Sequence, residues 1–258
     1  MSELTRLGIL ATIIQAVVLV VVIAKTNKLI KREKNFFLPF FFILSMSSFF
    51  LSDVYWLAYD FLKPDIRMPI ASNEIAECAM VLLLSAALES ILTDKRKYAG
   101  EIAFAFLFIG ANIALWIVWS GEWFQDIFFG IPYIYFLWLI IRGLKTRQAL
   151  SQREMWLAMM MSVFVLIMHV AIRFIDGFSQ SLVVFLCHVF MFGMIVWLGV
   201  RSVRLKDFFV SSAFFLWTNL VMFSSVSFYY YIAFFASTIA LPMMYISMKK
   251  ELLSDDIC

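Results

Sequence analysis

Residues 208–248 read FFVSSAFFLWTNLVMFSSVSFYYYIAFFASTIALPMMYISM and contain no charged side chain. As one helix rising 1.5 Å per residue the run would be roughly 60 Å long, twice the ~30 Å hydrocarbon core of a bilayer. It reads instead as two membrane spans joined by a tight turn near Ser224, Ser225 and Ser227, a turn with neither Gly nor Pro. A single long helix would also send Lys249 and Lys250 to the side of the membrane opposite the other basic clusters, against the positive-inside rule.

Working outward from this run, seven further apolar stretches are long enough to be spans. They are Leu7–Ala24, Phe36 to about Leu62, about Ser72 to Leu92, Ile102–Gly121, Ile127–Ile141, Met155–Ile172 and Phe178–Val200. The third is unusual in carrying Glu74, Glu77 and Glu89, and the fifth contains Pro132, a helix-kinking residue. Basic residues collect on alternate connections. Lys25, Lys28, Lys31, Arg32 and Lys34 follow the first span, and Lys95, Arg96 and Lys97 the third. Arg142, Lys145, Arg147 and Arg153 follow the fifth, Arg201, Arg204 and Lys206 the seventh, and Lys249 and Lys250 the last. The other side holds only Arg6, Lys63, Arg67 and Arg173. The expectation is an all-α bundle of nine transmembrane helices, with eight as the fallback, N-terminus outside and C-terminus cytoplasmic. Trp119 and Trp123 at the outer interface and Tyr98 and Trp156 at the inner one agree with that orientation.

Composition agrees with lipid as the main solvent. Of 258 residues 64% are hydrophobic and 15% charged, against about 25% charged in soluble domains. A soluble domain, a disordered chain and a nucleic-acid binder are excluded. Cys78, Cys187 and Cys258 are too few and too scattered for a disulfide framework or a cysteine zinc site. The first span lacks an A-x-A-like site and runs straight into a basic cluster, so it is expected to be retained rather than cleaved. Residues 1–258 are expected to form one transmembrane domain with no soluble domain.

Ionisable side chains inside spans are costly and mark candidate sites. Asp53 and Asp60 are seven residues apart on one face of the second span, with Trp56 between them and Tyr55 and Tyr59 flanking the stripe. By helix rise Asp53 lies roughly 10–12 Å deeper than Asp60. Glu74 and Glu77 share a face at the start of the third span, and Ser72 is placed to cap it. Carboxylates in a first helical turn also complement the helix dipole, which is the plain structural alternative for Glu74. The two histidines, His169 and His188, sit at similar depth in consecutive spans, with Arg173 one turn beyond His169. An ordinary helix-to-helix hydrogen bond is the alternative for each. Asn112 and Asn219 are expected to hydrogen-bond between helices, Glu89 to pair with a nearby Lys or Arg, and Glu101 to complement the dipole at a helix N-terminus. The expectation is one outer cavity using Asp53, Asp60, Glu74, Glu77, His169, Arg173 and His188, lined by Tyr55 and Tyr59, with Asp53 and Glu77 the titrating pair.

Three function classes fit these residues. First is a small-solute transporter or permease, proton-coupled through membrane carboxylates and histidine. Second is a membrane sensor or receptor that signals through a partner. Third is a membrane-embedded hydrolase acting on a lipid, with zinc held by His and carboxylate. The sequence has no H-E-x-x-H, no G-x-S-x-G and no His pair at i and i+4. No Lys lies within a span, which removes the Schiff-base site of a retinal protein. No cofactor and no resident metal are expected. The expected partners are the lipid bilayer, a small-molecule ligand or substrate, and a second copy or another membrane protein, but no nucleic acid. The expected location is the cytoplasmic membrane.

Overall fold

A computed structural model describes residues 3–30, 36–63, 72–92, 99–121, 123–225 and 228–255, excepting the side chains of 3–5, 60, 72–73 and 254–255. The described residues fold as nine α-helices with no strand: α1 (Glu3–Ile30), α2 (Phe37–Leu62), α3 (Ser72–Ser90), α4 (Ala99–Ser120), α5 (Trp123–Arg147), α6 (Gln152–Ala171), α7 (Gly177–Leu205), α8 (Phe208–Phe223) and α9 (Phe228–Asp255). Each expected span corresponds to one helix. Seven of them, α1, α2, α4, α5, α6, α7 and α9, are long and apolar enough to cross a membrane. The architecture is that of a multi-pass membrane protein. The two others are α3, with three Glu in 19 residues, and α8, with 16 residues.

The long apolar run divides at Ser224 and Ser225, while Ser227 lies outside the described residues. α8 ends at Phe223, Ser224 caps it, and α9 starts at Phe228. At its other end Asp207 accepts hydrogen bonds from the Phe209 and Val210 N–H groups, an N-cap that fixes where α8 begins. From Phe208 to Met222 every residue of α8 except Ala213 is buried. A helix apolar all round belongs in the centre of a bundle, and α8 occupies that place. It packs on α5, α7 and α9, and Phe208 and Phe215 meet Phe42 and Phe49 of α2 edge to face at 5.9 and 6.0 Å. The other eight helices close a ring around it in the order α1, α2, α3, α5, α4, α6, α7, α9 and back to α1. The α4–α6 junction is the loosest step of that ring.

Lipid gives no hydrophobic push between helices, so close approach and buried hydrogen bonds must hold the ring. Gly143 of α5 lies under the Phe209 ring, where any Cβ would overlap it, and Gly130 admits Ile113 of α4 in the same way. Ser211 bonds Ser202 at 2.8 Å and Ser247 at 2.7 Å, tying α8 to α7 and α9. The Ser45 hydroxyl donates to the Met80 carbonyl between α2 and α3, and the Trp217 indole donates to the Met191 carbonyl between α8 and α7. Asn112 and Asn219 do not join this set. Each amide donates to a carbonyl one turn back on its own helix, Phe108 and Phe215 respectively. A short amide inside a helix reaches its own carbonyls before it reaches a neighbour.

The two ends of the bundle differ in chemistry. At one end Arg147 donates to both carboxylate oxygens of Glu251 at 2.6 Å and to the Ile91 carbonyl at 3.2 Å. Asp207 stands 3.8 Å from the same guanidinium. Burial raises the Asp207 carboxyl above its usual range, against the opposing effect of its N–H donors and of Arg147. Glu101 accepts from Lys145 at 2.8 Å, Arg201 pairs with Glu154, and Lys250 donates to the Leu205 carbonyl. Glu89 pairs differently from the expectation, accepting from the Tyr135 hydroxyl at 2.8 Å. Lys31, Arg32, Lys34, Arg67, Lys95, Arg96, Lys97 and Tyr98 lie outside the described residues.

Candidate functional site

At the opposite end of the bundle, α1, α2, α3, α5, α8 and α9 surround a cavity of about 300 Å³. Its polar wall is Asp53 and Ser52 of α2, Glu74 and Glu77 of α3, Gln125 and Asp126 of α5, and Thr12 and Gln15 of α1. Its apolar wall is mainly aromatic, with Trp56, Phe49, Phe129, Phe223, Tyr230 and Phe234. The helix-period spacing of α2 sets Phe49, Ser52, Asp53 and Trp56 on one stripe, and the spacing of α3 sets Glu74 and Glu77 on the stripe that faces it. Because α2 and α3 run antiparallel, the last turns of one meet the first turns of the other.

Three of the four carboxylates accept from neighbouring side chains. Ser52 Oγ donates to Glu77 Oε1 at 3.1 Å, Gln125 Nε2 donates to Glu74 Oε1 at 2.7 Å, and Ser120 Oγ donates to Asp126 Oδ2 at 2.5 Å. These three donors are neutral, so they orient the carboxylates without themselves supplying positive charge. Asp53 is 5% exposed, and its Oδ2 is buried with no hydrogen-bond partner. Gln15 Nε2 donates to Thr238 Oγ1 of α9 at 3.2 Å, which leaves its Oε1 buried and unpartnered as well. Among the described residues no Lys, Arg or His lines this cavity. The site is therefore an acidic, aromatic-walled pocket whose two orphaned oxygens both accept and do not donate.

The structure divides the residues that the sequence grouped together. Asp53, Glu74 and Glu77 share this cavity, whereas Tyr55, Tyr59, His169, Arg173 and His188 are not on its wall. The Asp60 side chain lies outside the described residues. His169 faces a separate small cleft between α4, α6, α7 and α8, beside Asn112 and Ser224. Its ring lies 5.5 Å from Trp119 and 3.8 Å from Cys187 Sγ. Arg173 lies over the same Trp119 ring of α4, at 5.7 Å. His188 points elsewhere again. Its Nδ1 donates to the Val184 carbonyl at 2.7 Å, and its ring stacks on Tyr229 of α9 at 3.9 Å.

The physical reason for the division is α8. Met222 and Phe223 face the carboxylate cavity, while Leu220, Val221 and Ser224 face the His169 cleft. The last turn of α8 thus forms the wall between the two polar hairpins. The single shared cavity is corrected accordingly to one carboxylate cavity and two separately packed histidines.

Gln15, Thr12, Gln125, Asp126 and Tyr230 belong to the cavity without having been singled out in the sequence. Thr12 and Gln15 do carry a signal, being three apart on an otherwise apolar first span. Gln125 and Asp126 stand just before Ile127, where the apolar run of the fifth span begins, and so read as loop. Among the described residues no group of three His, Cys, Asp or Glu side chains is arranged to hold a metal ion. The chain matches no family model, no curated protein and no solved structure.

Proposed function

We propose that the chain is a permease for a small organic cation, with the carboxylate cavity as its substrate site and protons as the counter-ions. The observation that carries this is the cavity's composition. Four carboxylates and six aromatic rings surround about 300 Å³, and no basic side chain is on the described wall. Asp53 is buried with one oxygen unpartnered and Glu77 is held by a neutral hydroxyl; burying such carboxylates is costly, and a bound cation offsets that cost. Aromatic faces add attraction for ammonium groups. A volume at the lower end of small-molecule pockets suits a compact ammonium rather than a peptide or sugar chain. In the absence of that cation, protons are the natural occupants of the same oxygens, which is how one site can exchange one for the other.

In this reading all nine helices cross the cytoplasmic membrane, α3 and α8 included. The sixteen residues of α8 rise about 24 Å, which is workable for a helix shielded from lipid by its neighbours. The N-terminus and the carboxylate cavity face outside. The end bearing Arg147, Lys145, Arg201 and Lys250 faces the cytoplasm, in keeping with positive-inside.

The test is counterflow of radiolabelled tetraethylammonium, which does not cross bilayers unaided, in proteoliposomes preloaded with the unlabelled ion. Wild type accumulates label, acidification of the opposite compartment alters the rate, and Asp53→Asn abolishes accumulation while eluting as a folded protein. Saturable binding without counterflow would favour the receptor reading. No binding at all removes the cavity as a cation site.

A further inference from the structure

A second site lies on the other side of α8, and its case does not depend on the cation cavity. Three spaces follow one another along the loose α4–α6 seam. At the cytoplasmic-side end is a cavity of about 760 Å³ with Glu101, Lys145, Gln148 and Gln152 at its mouth. It shares Ile141, Leu150, Met155 and Met159 with a narrower apolar slot that runs inward between α4, α5, α6, α7 and α8. The slot in turn shares Phe108, Ser162, Trp217 and Leu220 with the His169 cleft. From Gln152 to Ser162 along α6 is about 15 Å at 1.5 Å per residue, half the hydrocarbon core and so the depth of one leaflet.

We propose that this seam holds a membrane phospholipid with a primary-ammonium head group, its tail in the slot and its head at the Glu101–Lys145 mouth. Three observations carry it. First, the slot is lined almost wholly by apolar side chains. Its two potentially polar walls are already satisfied, Ser162 by the Ala158 carbonyl and the Trp217 indole by the Met191 carbonyl. Water in a cavity needs two to four polar partners, and an acyl chain needs none. Second, the mouth has matched opposite charges. Glu101 is 9% exposed and accepts from Lys145 through Oε1, while its Oε2 is buried without a hydrogen-bond partner. An ammonium N–H fills that vacancy, and the neighbouring phosphate falls toward Lys145. Third, the seam is reachable from lipid. α6 buries only Val165, Met168 and His169, and its contact with α4 is slight, so a lipid enters sideways without unfolding anything.

The head group distinguishes this site from mere solvation. Phosphatidylethanolamine offers N–H donors to Glu101, whereas phosphatidylcholine offers a trimethylated nitrogen with none. A hydrogen bond to a buried charged group is expected to give about a tenfold preference. The experiment reconstitutes the full chain in nanodiscs containing a trace of phosphatidylethanolamine or phosphatidylcholine, each with a photoactivatable diazirine in the tail, and maps labelled residues by mass spectrometry. The expected result is phosphatidylethanolamine labelling centred on Phe104, Met155, Met159 and Trp217, about tenfold above phosphatidylcholine. Glu101→Gln, whose amide still fills the space, should bring the two lipids to parity. Ala158→Phe, which fills the slot, should abolish the labelling. Equal labelling by the two lipids in wild type, or labelling that stays outside the seam, overturns the proposal. If Ala158→Phe fails to fold, the Glu101→Gln comparison decides alone. Loss of tetraethylammonium counterflow in Asp53→Asn leaves this labelling unchanged, so the two readings stand or fall separately.

Discussion

Arg147 is the junction of four helices, and its removal is the sharpest test of the packing. The side chain leaves α5, forks onto both Glu251 oxygens of α9 at 2.6 Å and donates to Ile91 at the end of α3. It also lies 4.9 Å over the Phe209 ring of α8. A hydrogen bond to a charged partner contributes ~1.5–3 kcal/mol when buried. Arg147 and Glu251 are 24% and 16% exposed, so water screens part of the attraction but the fork remains largely desolvated. Arg147→Ala is therefore expected to cost about 2–3 kcal/mol, more than an exposed ion pair at ~0–1 kcal/mol. Unfolding by sodium dodecyl sulfate titration in mixed micelles measures this. A cycle with Glu251→Ala should return a coupling of about 1–2 kcal/mol, because each partner's loss leaves the other's charge half-buried. Arg147→Lys should recover little, since an ammonium cannot reproduce the fork. A coupling below about 0.5 kcal/mol would refute the claim that this cluster holds the bundle end together.

Three further outcomes follow from the same end of the molecule. Gly143→Ala pushes a Cβ into the Phe209 ring, and the ring is fully buried with no room to swing. The cost should reach the upper part of the ~1–3 kcal/mol range for overpacking, and Phe209→Leu in the same chain should return most of it; a neutral Gly143→Ala in a thermal melt would disprove the close approach. Asp207→Ala removes the α8 N-cap and should cost about 1 kcal/mol, as measured in the same micelle titration. Burial of Asp207, which raises its pKa, has a pH effect of definite sign. The stability gained by protonating Asp207 is fully present below the ordinary carboxylate range and is lost as pH rises through the raised folded value. Between neutral and mildly acidic pH, wild type should therefore gain stability relative to Asp207→Asn, and parallel pH curves would contradict the burial of that carboxyl.

The helices were legible in the sequence because lipid imposes one rule on every span. A lipid-facing span needs about twenty mostly apolar residues, and its backbone polar groups must be paired within the protein. That rule places the break in the 208–248 run at the serines and sends α8 and α9 back on each other without a Gly or Pro to mark the turn. It does not say which helix is innermost. The clue for α8 is the absence of any polar face, but α4 is at least as apolar and sits in the ring. What separates them is that α8 presents small hydroxyls, Ser211, Ser212 and Thr218, all buried, which let neighbouring backbones approach on several sides.

Depth and azimuth are different quantities, and only the first can be read along a chain. Equal depth for His169 and His188 follows from their places on consecutive antiparallel helices, and equal depth for Asp53 and Glu77 follows in the same way. The azimuth of each side chain depends on which neighbour its helix turns toward. For α2 and α3 two polar residues per helix fix that rotation, because Ser52 with Asp53 and Glu74 with Glu77 must avoid lipid together, and the hairpin closes on itself through Ser52 and Glu77. For α6 and α7 one histidine per helix fixes nothing. A lone imidazole can bond its own helix through one nitrogen, as His188 Nδ1 does on the Val184 carbonyl while Nε2 stays buried without a partner, and the helix is then turned by its apolar contacts. A carboxylate has no such local solution, since a helix interior offers it carbonyls and no free N–H. The carboxylates therefore had to find one another's neighbourhood and the histidines did not, which is why only the acidic half of the expected site came together.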